Sequence, residues 1–199
     1  MIDIVIPNNN EEQFISMAEK LGYDSLCFLY SIDSYTSNKD SIKKIGATGK
    51  KIKIVHGIIA DSKTIGRIKG KLKGEKAFTA VKSSENDRQI IEGSMANMIF
   101  SFEENPRRDF IHQRASGLNH ILCKLAKEKK VAAGFSLSLI LNDKNKNAIL
   151  GRMMQNISLC KKFKLKTIIA SFAQYPYDMR GAHDIKSLFE ILGGKNSEF

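Results

Sequence analysis

No uninterrupted apolar run approaches the roughly 20 residues that a membrane-spanning helix needs. The chain opens on an apolar alternation over residues 1–7 with no basic-then-apolar leader, so a soluble, cytoplasmic protein is expected. Cysteine is scarce. Cys27, Cys123 and Cys160 are odd in number, have no C-x-x-C spacing and lie inside apolar segments, which excludes a disulfide framework or a zinc knuckle and predicts buried thiols. Histidine is nearly as scarce: His56, His112, His120 and His183 form no H-x-H or H-x-x-x-H pair, too little for a metal-dependent phosphoesterase. Glycine-rich phosphate loops are missing too. Pro7-Asn8-Asn9-Asn10 follows the first apolar run, and there is no G-x-x-x-x-G-K-[ST], so neither a dinucleotide fold nor a nucleotide-hydrolysing loop is indicated.

Acid is the other shortage. The formal net charge is +11. Between Lys39 and Lys82 thirteen Lys or Arg face only Asp40, Asp61 and Glu75, a local excess of +10. Soluble surfaces usually mix both signs, so this concentration points to a polyanionic partner.

What is present is a repeating alternation. Seven short β-branched or aromatic runs, at residues 2–6, 25–30, 52–59, 77–81, 97–102, 131–135 and 167–171, are separated by helix-like segments. Runs such as VAAGF and TIIAS are apolar on both faces, as parallel strands covered by helices must be. At 199 residues the chain is long enough for one sizeable core and short for two. The expectation is a single α/β domain over residues 1–199, a TIM-like (β/α) barrel of about seven parallel strands.

Helix ends and faces are readable. Asn10 is placed to cap a helix beginning at Glu11, and Gly22 sits where a terminating glycine belongs. After Asn147, Ile149, Leu150, Met153, Met154, Ile157 and Cys160 make an apolar stripe that leaves Arg152 and Asn156 on the other side. In GLNHILCKLA, residues 117–126, Leu118, Ile121, Leu122 and Leu125 form the apolar face, with Cys123 at its border and His120 turned out beside Lys124 and Lys127. A cysteine nucleophile would need a positioned base, and the neighbours are lysines, so His120 belongs to a basic face. The segment GRIKGKLKG, residues 66–74, holds three glycines that disfavour a helix by about 1 kcal/mol each, which predicts a frayed basic segment adaptable to phosphates. Lys161, Lys162, Lys164 and Lys166 read equally as an RNA patch or as lysines favoured by a helix C-terminus.

The C-terminal half resembles the ribonuclease P protein component 3 family. The resemblance is carried by SGLNHILCKLAKEKKVAAGFSL, by GRMMQNISLCKKFKLKTIIAS, and by SFAQYPYDMRGAHDI with Gly193. The opening MIDIVIP and NDRQIIEG, with Arg88 at a family arginine, extend it by pattern. The resemblance implies a TIM-barrel-like fold related to PHP phosphoesterases but without their metal histidines. It also implies a role as a protein subunit of the ribonucleoprotein that removes 5′ leaders from precursor tRNAs. In that particle the RNA and its magnesium ions carry the hydrolysis, and a smaller Pop-type protein pairs with this subunit as heterodimers. Two departures stand out: the family's Arg-Ser-Pro is Arg180-Gly181-Ala182 here, and the acidic residue frequent in the sixth strand is absent from Ala132-Ala133-Gly134.

The expected RNA- or partner-facing set is Lys50, Lys53, Arg67, Lys69, Lys71, Lys73, Lys82, Arg88, Arg107, Arg108, Arg114, His120, Lys124 and Arg180. No catalytic side chain, protein-bound cofactor or metal ligand is expected. The rival readings are a PHP-like metal-dependent phosphoesterase and a general RNA-binding assembly module.

Overall fold

The structure, a computed structural model, describes residues 1–37, 45, 51–72, 77–104, 106 and 108–195, without the side chain of Lys69. Seven strands, β1 (Ile2–Val5), β2 (Ser25–Tyr30), β3 (Lys53–Ala60), β4 (Phe78–Lys82), β5 (Met98–Phe100), β6 (Ala132–Ser136) and β7 (Thr167–Ala170), pair in parallel in chain order. Each lies within two residues of its sequence-derived span, because an apolar run bounded by polar turns leaves little freedom in where a buried strand ends. The sheet curls into a nearly closed barrel. Its seam is a single bridge between Val5 and Ala173, supported by Phe172 N–H donating to the Ile4 carbonyl at 2.8 Å and Ile6 N–H donating to the Ala173 carbonyl at 2.9 Å. Asp3 extends the seam by side chain: its Oδ1 accepts from the Ser171 amide at 2.7 Å and from the Ile4 amide at 2.9 Å.

Alternate strand residues, among them Ile4, Leu29, Met98, Phe100 and Ile168, fill the interior. At Gly134 a Cβ would meet the Met98 sulfur and the Phe100 Cβ at 2.8 Å, so β6 has no room there for an inward acidic side chain. The opposite strand faces bury against α1 (Glu11–Lys20), α2 (Ile32–Ser37), α3 (Ile65–Leu72), α4 (Asp87–Glu92), α5 (His120–Glu128), α6 (Leu137–Asn142), α7 (Lys146–Phe163) and α8 (Ala182–Ile191). None of the described helices is long and apolar enough to cross a membrane. All three cysteines are buried and free; Cys27 is inside the barrel, where burial pushes its thiol up to about 12.

Four local expectations are corrected. Asn10 occupies the N-cap position of α1 but does not cap it: its oxygen accepts from the Asn8 amide at 2.8 Å, and its amide donates to the Gln174 carbonyl. GRIKGKLKG is helical through Leu72, because Ile65 and Ile68 bury one face of α3, and that burial outweighs two helical glycines. On α5, Cys123 and Ala126 lie at the buried centre while Ile121 is half exposed. On α7, Arg152 and Asn156 are buried and Met154 is exposed, because the inward face meets polar partners.

Candidate nucleic-acid interface

Parallel strands give the barrel two chemically distinct ends. Residues that follow strands gather at the C-terminal mouth, and residues that precede them gather at the opposite rim.

The mouth is where barrel enzymes carry their chemistry. Here it is a cavity of about 360 Å³ lined by Lys82, Ser101, Glu104, Ser136, Ser138, Asn142, Asp143 and Gln174. Several of its polar groups are already engaged. Lys82 is ion-paired with Glu104, Ser136 accepts from the Leu139 amide at 3.3 Å, and Ser138 donates to the Ser171 carbonyl at 2.7 Å. Phe100 and Phe172 stack beneath at 4.5 Å. No histidine lines the cavity. His56 lies outside the barrel, its ring 6.3 Å from both Phe28 and Tyr30, and burial holds its imidazole below the usual value. Among the described residues no three His, Cys, Asp or Glu gather as a metal-ligand set.

The expected set does not form one patch. Lys53 opens β3 at the rim, away from Lys82 and Arg108, which follow strands at the mouth. Arg180 lies against the end of α1, its carbonyl accepting from the Tyr23 hydroxyl at 2.8 Å and the next-but-one amide, Ala182, donating to the Leu21 carbonyl. On α3, Arg67 is exposed and Lys71 is ion-paired with Asp33 of α2. Arg88 pairs with Glu92 one turn on at 2.8 Å. Arg114 reaches Asp109 at 3.6 Å, and its guanidinium lies over Gly151 of α7. The Arg180 guanidinium donates to the Tyr177 and Met179 carbonyls of its own loop at 3.0 and 2.8 Å. Lys124 sits 6.0 Å from the centre of the Phe163 ring, and His120 is exposed at the start of α5. The structure does bring Arg88 and the first turn of α5 to one groove of about 600 Å³, whose lining also includes Glu85, Asp87 and Glu104. Lys50, Lys73 and Arg107 lie outside the described residues.

Sequence reasoning missed a buried polar network that pins the loop between β5 and α5. Glu103 Oε1 accepts from the Asn156 amide at 2.7 Å, and that amide also donates to the Ser116 carbonyl at 2.8 Å. Arg152 donates to Asp109 Oδ1 at 2.8 Å and to the Glu103 carbonyl at 2.9 Å. Burial, opposed only in part by Asn156, pushes Glu103 up to about 7. Burial alone would raise Asp109 as well, but the Ala115 amide and the Arg152 guanidinium hold it below the usual carboxylate range. The only sequence signal was the i, i+4 spacing of Arg152 and Asn156.

Sequence reasoning singled out Lys53, Lys164 and Lys166 but missed that they gather with other lysines at one rim. Lys20 ends α1; Lys51 and Lys53 lead into β3; Lys129 and Lys130 lead into β6; Lys164 and Lys166 lead into β7. All are exposed. Of the acids in these same connections, Asp24 is taken by the Met1 amino group and Glu128 lies 4.0 Å from Lys129.

Fold and charge together define a (β/α) barrel that presents cations in quantity and, among the described residues, joins no nucleophile to a base at its mouth. The model of the family described as RNase P subunit p30 matches residues 1–198, and the chain belongs to that family. Ribonuclease P protein component 3 of Methanosarcina mazei is 26% identical over 196 residues, 96% of this chain and 77% of that protein. Its counterpart in Methanosarcina acetivorans is 30% identical over 118 residues, and the match spans about half of each, 56% and 49%. The fold is that of a chain in the cryo-EM structure of archaeal ribonuclease P with mature tRNA, with a TM-score of 0.79 at 21% identity over 96% of this chain and 83% of that one.

Proposed function

We propose that this chain is a protein subunit of ribonuclease P, the cytoplasmic ribonucleoprotein that cleaves 5′ leaders from precursor tRNAs, and that it braces the catalytic RNA together with a smaller Pop-type protein. The observation that carries the reading is the family match over residues 1–198, joined to the barrel shared with a chain of the archaeal particle. The physical role follows from charge. Folding an RNA brings phosphates together, and each lysine or arginine that neutralises one releases condensed counterions. Part of the magnesium needed to fold the RNA is thereby replaced, while hydrolysis stays with the RNA and the magnesium ions bound to it. The fixed backbone of the barrel supplies those cations without a large ordering cost.

The test is cleavage of a precursor tRNA by the cognate RNA and the small protein partner at limiting magnesium, with this chain added or omitted, and with this chain alone. Stimulation that requires the RNA is expected. Cleavage by the protein alone would return the metal-dependent phosphoesterase reading. Equal binding to unrelated structured RNAs at the same salt, without stimulation, would favour a general RNA-binding module.

A further inference from the structure

Resting on that reading, we propose that the N-terminal rim of the barrel, not its mouth, seats the RNA backbone, with a lysine-walled depression between α7, β7 and the end of α8 as a phosphate site. The depression has a volume of about 410 Å³. Lys161, Lys164, Lys166 and Lys195 stand around it, over an apolar floor that includes Ile157, Leu165 and Phe189.

These ammonium groups come from two distant segments, and the backbone fixes both. Lys164 ends α7 in the left-handed conformation, φ 53°, and the Leu165 amide closes the turn on the Cys160 carbonyl at 2.9 Å. That turn carries Lys166 to the start of β7. Lys195 is delivered by Gly193, φ +96°, and by Gly194, which lies flat on Phe189: a Cβ there would come within 2.4 Å of the ring. The site is therefore built by packing.

Among the described residues, none of the four lysines forms an ion pair. The dipole of α7 accounts for Lys161 in its last turn, but not for Lys166 beyond the helix or for Lys195 from another element. Like charges gathered without carboxylates repel, and that repulsion is relieved by a polyanion. At the mouth Lys82, Arg88 and Arg114 already hold carboxylates, so an RNA phosphate would have to displace an internal partner before gaining theirs. Lysines act as point charges and read no bases, which fits a positioning contact with phosphodiesters.

The test compares the Lys164→Ala, Lys166→Ala, Lys195→Ala triple variant with a mouth triple, Lys82→Ala, Arg88→Ala, Arg108→Ala, in the full chain. Binding to ribonuclease P RNA is measured over a range of KCl, with sodium triphosphate as competitor. The rim triple is expected to lose about tenfold in affinity at low salt and to lower the slope of log affinity against log salt by roughly 2 to 3 units; the mouth triple should change the slope less than half as much. A rim triple that binds as tightly as wild type, while the mouth triple loses slope, overturns the inference and leaves the subunit reading intact. Wild-type protein that fails to bind the RNA at all sinks the reading itself. Micromolar triphosphate binding lost in the rim triple, with RNA binding unchanged, would assign the depression to a free polyphosphate and overturn the RNA assignment. Circular dichroism of both triples confirms that exposed lysines were removed without unfolding.

Discussion

The Asn156 amide meets the Glu103 carboxylate at 2.7 Å in a place where both side chains are wholly buried. The other Glu103 oxygen and the Asn156 carbonyl oxygen have no partner there. A proton on Glu103 relieves that arrangement, in keeping with a folded value of about 7 against an ordinary 4.5. Because the folded value is the higher one, the stabilisation is complete below about 4.5 and is lost as pH rises through about 7. Chemical denaturation at pH 5 and pH 8 should show wild type losing up to roughly 3 kcal/mol across the interval from this group. Glu103→Gln should flatten that dependence; an unchanged slope in the variant would refute the assignment.

The seam carboxylate gives a second case. Asp3→Ala leaves the Ser171 amide without its acceptor and should cost about 1–3 kcal/mol, whereas Asp3→Asn keeps an oxygen in place and should cost less than half of that. Hydrogen exchange at the Ser171 amide is the local readout, and protection retained in Asp3→Ala would contradict the role.

Arg152 joins α7 to the loop after β5 through Asp109 and the Glu103 carbonyl. Arg152→Met removes a largely buried cation from a carboxylate that is partly exposed, so a loss of roughly 3 kcal/mol is expected. Limited proteolysis should then cut within residues 108–118 before any other described loop. A variant equally resistant at that loop would show that packing alone holds it.

His56 should stay neutral to lower pH than a free imidazole, because burial lowers its value from 6.5. Its ring protons, followed by NMR, should titrate with a midpoint below 6.5. A midpoint at or above that value would mean the site is wet.

The strands were legible because parallel strands buried on both faces leave short apolar runs bounded by polar turns. Arg152 and Asn156 were not legible, since two polar residues one turn apart look like a solvent face until Glu103 and Ser116 are seen opposite them. Ile65 and Ile68 carried the helical signal in GRIKGKLKG, but glycine propensity masked it, because propensity is a weak prior against burial. The rim was hidden for a topological reason: Lys20, Lys51, Lys129 and Lys166 are far apart in sequence, and only parallel pairing sets them at one end.

That one-ended charge also acts before contact. Among the described residues, most rim lysines are unpaired while Lys82, Arg88 and Arg114 at the other end hold carboxylates. That asymmetry gives an electric dipole along the barrel axis, and a polyanion within a Debye length, about 8 Å at physiological salt, exerts a torque on it. Encounters are then turned rim-first, so the share of productive collisions, and with it the association rate, falls as salt rises even where the final contacts are the same.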